Sequence, residues 1–292
     1  MATASQWVQG ARPRTLPAAV APVLAGTGVA GFEGGVGLGA ALLALVVSLA
    51  LQVAVNYAND YSDGVRGTDD VRVGPMRLVG SGVAAPAAVK RAAFLAFGVA
   101  GVAGLVLAVS TSWWLVLVGA VSMVAAWAYT GTAKPYGYLG LGEVMVFVFF
   151  GLVAVVGTTY VQLEELPAAA WVAGTGVGLL ACAILVVNNL RDIPTDTDAG
   201  KRTLAVRLGD ARTRQLYAGM VAGAAACVGG VALLTTGWAL CGLVFLLPAL
   251  PGLRRVLGGA TGPALIPVLQ STGVAELVWA VGVAVPLLVV GA

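Results

Sequence analysis

The chain has 292 residues, of which 59% are hydrophobic and only 10% charged, with a formal net charge of +3 and a mean hydropathy of +0.95. A soluble domain carries roughly 25% charged residues, so a water-soluble fold, a coiled coil and a disordered chain are excluded, and nucleic-acid binding has no basic surface to rest on. The absence of histidine removes imidazole catalysis, Ser-His-Asp triads and His-ligated zinc or haem.

A transmembrane helix needs about 20 apolar residues. In chain order, such runs fall near 16–32, 37–59, 91–110, 113–130, 139–161, 168–190, 212–236, 238–252 and 271–290. The eighth is short and interrupted by Pro248 and Pro251. Runs of this length predict an all-α polytopic membrane protein of nine helices, since barrel strands alternate in ~10-residue units. The first run has no small-residue cleavage site, so it is expected to be a helix rather than a signal peptide. Cys182, Cys227 and Cys241 each lie in an apolar run without CxxC spacing and read as packing residues.

Nine spans place the N-terminus and the loops after the even-numbered helices on one side. All 16 Lys and Arg residues then lie on that side, and the other side holds Glu33, Glu164 and Glu165. The positive-inside rule therefore predicts a cytoplasmic N-terminus and an outside C-terminus in a bacterial cytoplasmic membrane.

Two cytoplasmic loops hold most of the charge. Segment 60–91 has five basic and four acidic residues, and segment 191–214 has six and four. Each follows an even-numbered helix, which suggests two related four-helix halves, about 12–135 and 136–258, with helix 271–290 added in one domain. If the second helix continues into its loop, Asn56, Asn59, Asp60 and Asp63 fall at i, i+3, i+4 and i+7, on one face. Asn189, Asp192 and Asp196 follow at i, i+3 and i+7, with Pro194 expected to end or bend that helix. Carboxylates clustered at helix C-termini repel one another and the helix dipole, and a divalent cation relieves this. Oxygen-only ligands favour Mg²⁺ over zinc. Arg72, Arg77, Lys134, Arg191, Lys201 and Arg202 surround the stripes, so the set predicts a diphosphate site at the membrane boundary, suited to a substrate with a diphosphate head and a long hydrocarbon tail. Mixed-sign loops ordinarily only solvate a surface; two of them with aligned Asn and Asp at matching helix ends go beyond that.

At these residues the sequence resembles the UbiA superfamily of intramembrane prenyltransferases, whose loops carry NDxxDxxxD and DxxxD. Asn59-Asp60-x-x-Asp63 and Asp192-x-x-x-Asp196 match, while Gly67 replaces the third acid and Asp69 follows two residues on. The strings ARPRTLPA (11–18), GPMRLVGSG (74–82), YTGTAKPYGYLGLGE (129–143) and NNLRDIPTDTDAGKRTLAVRLG (188–209) resemble the branch that prenylates 1,4-dihydroxy-2-naphthoate. That resemblance covers nearly the whole chain. It implies nine helices around a central cavity capped by the two loops. It also implies polyprenyl transfer from polyprenyl diphosphate to the naphthoate ring, with loss of CO₂ and diphosphate, giving demethylmenaquinone in menaquinone biosynthesis. By position, Asp60, Asp63, Asp192 and Asp196 would bind two Mg²⁺ ions, helped by Asn59, Asn56 and Asn189, with Asp69 standing in for the missing acid. Lys134 and Lys201 would hold the diphosphate, and Arg14 would face the cavity. The family's Tyr-x-x-x-Lys element finds Tyr129 five residues before Lys134, with Tyr136 as competitor.

Intramembrane acids are functional by default; Glu143 opens the fifth helix and could equally sit in the headgroup region, and Glu276, about a turn and a half into the ninth, reads as a polar cavity or helix contact. Trp113, Trp114, Trp171 and Trp238 start spans and read as interfacial anchors. Tyr57 and Tyr61 flank the first stripe, either shielding a carbocation or anchoring the boundary. The alternatives are another aromatic acceptor, such as 4-hydroxybenzoate or homogentisate, and a secondary transporter of an organic anion. Charges at one face rather than the midplane count against transport.

Overall fold

The computed structural model describes residues 2–67, 76–132 and 135–292; Asp69, Arg72 and Lys134 lie outside the described residues. In lipid, each segment must satisfy its own backbone polar groups, and long apolar runs do so as helices. The elements are α1 (Ala4–Gly10), α2 (Pro17–Phe32), α3 (Leu38–Arg66), α4 (Pro86–Ser110), α5 (Trp114–Ala128) and α6 (Gly142–Leu163). They continue with α7 (Ala168–Asp198), α8 (Leu204–Leu208), α9 (Asp210–Leu234), α10 (Gly237–Leu257) and α11 (Gly262–Gly291).

Among the described residues, α3, α4, α6, α7, α9, α10 and α11 are long and apolar enough to cross a bilayer. The Ala4–Thr15 segment and α2 form a further pair, bent by 49° at Leu16; Arg12, with φ of 55°, lies within the first of the two. α5 is apolar but has only 15 residues. These elements occupy the nine predicted runs. Outward side chains are apolar, with Leu95 73% and Leu233 91% exposed, as an integral membrane protein requires. Trp113, Trp114, Trp171 and Trp238 are exposed at helix starts.

Four elements differ from expectation. α4 and α11 begin earlier, because Pro86 and Pro263 take first-turn positions where a missing N–H costs nothing. The weak eighth run is rescued by a 3₁₀ stretch, Gly237–Phe245, leading into α-helix Leu246–Leu257; 3₁₀ rise is about 2.0 Å per residue against about 1.5 Å, so the element gains length. Most consequential, α7 does not end at Pro194 but runs to Asp198. Thr195 and Thr197 hydroxyls donate to the carbonyls of Asp192 and Ile193, and the chain turns at Gly200, φ +71°. Asp192 and Asp196 therefore stay on one continuous helix.

One large core joins α2, α6, α7, α9, α10 and α11. α6 passes closest to α7 where its backbone is π-helical, Phe147–Val153. A β-carbon on Gly151 would stand 2.6 Å from the Gly174 carbonyl oxygen and 2.6 Å from Gly178 Cα. Those are backbone atoms and cannot swing aside. Gly151→Ala is expected to cost about 1–3 kcal/mol by overpacking, read as a lower melting temperature in detergent by circular dichroism. An unchanged melt would show that the crossing yields.

Candidate active site

α3 ends at Gly67, φ +70°, so the helix does carry Asn56 through Asp63. The four stripe residues take separate partners. Asn56 Nδ2 donates to the Ala11 carbonyl (2.9 Å) and Thr15 Oγ1 (3.0 Å). Through its amide N–H₂ it anchors the N-terminal segment against this face. Helical spacing could not reveal that the N-terminal segment folds back onto this face. Asn59 Oδ1 accepts the Thr130 hydroxyl at 2.6 Å. Asp60, 1% exposed, accepts the amides of Leu78 (2.8 Å) and Val79 (3.0 Å), fastening the loop after α3. Asp63 accepts the Tyr138 hydroxyl at 2.7 Å and has Arg77 Nη2 at 3.9 Å.

On α7, Arg191 forks onto both Asp192 oxygens at 2.6 and 2.7 Å and donates to Asn188 at 2.9 Å. Arg191 thus lies directly against the acid of the α7 stripe. Lys201 Nζ lies 3.8 Å from Asp196. Asn189 turns towards α6 and donates to Glu143 Oε1 at 2.9 Å, so its amide N–H₂ is directed away from the acid stripe. Arg14 is exposed on the Pro13–Thr15 turn; it is Arg12 that comes within electrostatic reach of Asp60. In this structure the crowding of acids is relieved by arginine, lysine and backbone amides.

Tyr138, which lies in the 129–143 string but has no role assigned from the sequence, ties the two stripes together. Its hydroxyl donates to Asp63, and its ring lies 4.6 Å from Lys201 Nζ and 5.7 Å from Arg66 Cζ. Its carbonyl accepts the Arg202 amide at 2.9 Å. The Pro135 and Gly137 around it gave a turn signal, but a cation–π partner 63 residues downstream leaves no local pattern. Tyr136 donates to the Ala125 carbonyl at 2.8 Å and packs edge-on against Tyr129 at 5.6 Å. Burial pushes its phenol up to about 12. Tyr57 donates to the Trp7 carbonyl and Tyr61 stacks on Trp127.

Among the described residues no three Asp, Glu or Cys side chains converge on one point. Mg²⁺ commonly takes only one or two carboxylates and fills its shell with water and phosphate oxygens. Two acids at each of two helix ends, all with oxygen donors, fit an ion that arrives with a diphosphate.

The sequence profile described as the UbiA prenyltransferase family matches residues 19–259. The chain belongs to the UbiA prenyltransferase family. It is 54% identical over 291 residues to the 1,4-dihydroxy-2-naphthoate octaprenyltransferase of Mycobacterium leprae, covering 100% of this chain and 99% of that one. It is 55% identical over 284 residues to the Mycobacterium tuberculosis protein of the same name, covering 97% of each. A solved structure of a UbiA homolog from Archaeoglobus fulgidus bound to GPP and Mg²⁺ has the same fold, with a TM-score of 0.69 over 97% of this chain and 99% of that one, at 14% identity. The family membership expected from the two loop motifs is borne out. In this UbiA-family chain the two stripes are joined by Tyr138, from the segment between α5 and α6, and backed by Glu143, from the first turn of α6.

Proposed function

We propose that this UbiA-family chain transfers a polyprenyl group from its diphosphate to 1,4-dihydroxy-2-naphthoate, with loss of the ring carboxylate as CO₂ and release of diphosphate, yielding the demethylmenaquinone skeleton in menaquinone biosynthesis. The observation that carries this reading is 54% identity over essentially the whole length to a relative named for that transfer.

Asp60 and Asp63 from α3, with Asn59, and Asp192 and Asp196 from α7 would hold two Mg²⁺ ions against the diphosphate. Bound Mg²⁺ neutralises the charge that builds on the diphosphate as it leaves. Lys201, Arg191 and Arg77 already lie against the acids, where they would share phosphate oxygens with them; Lys134 and Arg72 would complete the cationic set. The apolar helices below keep water from the allylic carbocation. The electron-rich ring attacks, and loss of CO₂ restores aromaticity without a histidine base. By the positive-inside argument these loops face the cytoplasm and the prenyl tail lies among the helices.

The test is an assay of detergent-purified protein with a polyprenyl diphosphate, Mg²⁺ and either 1,4-dihydroxy-2-naphthoate or 4-hydroxybenzoate, with products identified by mass spectrometry. The expected result is product from the naphthoate alone, abolished by chelation and restored by Mg²⁺. Product from 4-hydroxybenzoate alone would keep the prenyl-transfer chemistry and overturn the acceptor. Activity that survives chelation would overturn the metal.

A further inference from the structure

Glu143 holds neither metal nor diphosphate in this scheme, yet it is 5% exposed. It sits in the first turn of α6, where unpaired helix N–H groups favour a carboxylate. Oε1 is fixed by Asn189 Nδ2 at 2.9 Å, and its carbonyl accepts the Cys182 thiol at 3.0 Å. Oε2 is buried and has no hydrogen-bond partner among the described residues. A buried acceptor left unsatisfied costs its full desolvation penalty, which is consistent with a donor that arrives with a ligand.

The position narrows the donor. Asn189 precedes Asp192 by three residues on α7, about 4.5 Å of axial rise towards the membrane interior. Glu143 therefore lies one layer below the acid stripe. At the preceding residue, a methyl group on Gly142 would meet Leu185 at 3.3 Å, the Tyr129 ring at 3.5 Å and its hydroxyl at 3.9 Å, so Tyr129 packs against the same turn of α6. The prenyl chain has no hydrogen-bond donor, and a diphosphate is an array of anionic acceptors that a carboxylate repels. The aromatic acceptor alone brings hydroxyl donors. Its 1-hydroxyl neighbours its own carboxylate, which Glu143 would repel; its 4-hydroxyl is remote from that charge.

We propose that Glu143 Oε2 accepts the hydrogen bond of the acceptor's 4-hydroxyl, with Asn189 fixing the carboxylate and Tyr129 flanking the ring. The acceptor's carboxylate then faces the basic loops, and its reactive edge faces the departing diphosphate. This assignment rests on the naphthoate reading above. A site built around one hydroxyl discriminates strongly against the analogue that lacks it.

The experiment measures KM for 1,4-dihydroxy-2-naphthoate and for the polyprenyl diphosphate, and the inhibition constant of 1-hydroxy-2-naphthoate, in wild type and Glu143→Gln. Wild type should bind the dihydroxy acid at least tenfold more tightly than the 1-hydroxy analogue. In Glu143→Gln that preference should fall to within about threefold, with KM for the prenyl diphosphate and the Mg²⁺ requirement unchanged. Glu143→Asp keeps the charge but withdraws it by one methylene; it should fall between, and it carries the test if the Gln variant does not fold. A preference retained in the variants overturns the proposal, as does a raised Mg²⁺ requirement with an unchanged acceptor KM. Wild type that does not prenylate the naphthoate at all would instead be a failure of the underlying reading.

Discussion

Asp192→Asn should lower prenyl transfer by on the order of 10²–10³-fold, the scale of losing one preorganised charge-stabilising group, while helical circular dichroism is retained. The amide still offers one oxygen to Arg191, so the α7 terminus keeps its shape. It cannot offer the second oxygen or the negative charge that a Mg²⁺ ligand needs. Arg191 and Asp192 are both buried, at 9% and 7% exposure, and breaking a buried pair outright costs about 3–5 kcal/mol. A neutral substitute that keeps one hydrogen bond should cost less, visible as a modest fall in melting temperature. Asp60→Asn is expected to differ in one respect. Its carboxylate accepts two backbone amides from the loop after α3, and an amide can accept only one while turning N–H₂ against the other. It should lose activity and melt earlier. Full turnover in Asp192→Asn would remove Asp192 from the metal site.

Tyr138 should separate into two functions. Tyr138→Phe keeps the ring beside Lys201 and loses the hydroxyl that donates to Asp63. A hydrogen bond to a charged group is worth about 1.5–3 kcal/mol, so the upper bound on lost turnover is on the order of 10–100-fold. Because the lost contact is to a carboxylate, the main effect should be a higher Mg²⁺ concentration for half-maximal rate. Tyr138→Leu also removes the cation–π contact, worth about 0.5–2 kcal/mol depending on desolvation, and should further raise KM for the prenyl diphosphate through Lys201. Steady-state kinetics against Mg²⁺ and against prenyl diphosphate distinguish the two. Equal losses in both variants, with no change in either dependence, would make Tyr138 a packing residue only.

These expectations mark where the sequence was readable. Asn59, Asp60, Asp63, Asp192 and Asp196 announce themselves through helical spacing, because residues three and four apart share a face whatever else the fold does. Pro194 misled, because the proline rule describes the cost of a missing N–H and a clash at one turn, while the helix end is set by Gly200 and the threonine contacts beyond it. Asn56 makes a contact that spacing does not show. Face-sharing places it with the acids, but the N-terminal segment competes for its amide. Asn189 likewise shares the α7 face yet bonds across to α6.

The sequence by itself determined the membrane class, the nine apolar runs, the one-sided distribution of Lys and Arg, and the two acidic stripes. All of these follow from composition and local periodicity. Only the tertiary structure decided what each carboxylate touches, that Tyr138 links Asp63 to Lys201, and that Glu143 keeps a buried oxygen one layer below the stripe. Those contacts join residues from 46 to 75 positions apart along the chain. Their geometry is set by how α3, α6 and α7 cross, and close glycine packing at Gly151, Gly174 and Gly178 fixes the α6–α7 approach that no local pattern encodes.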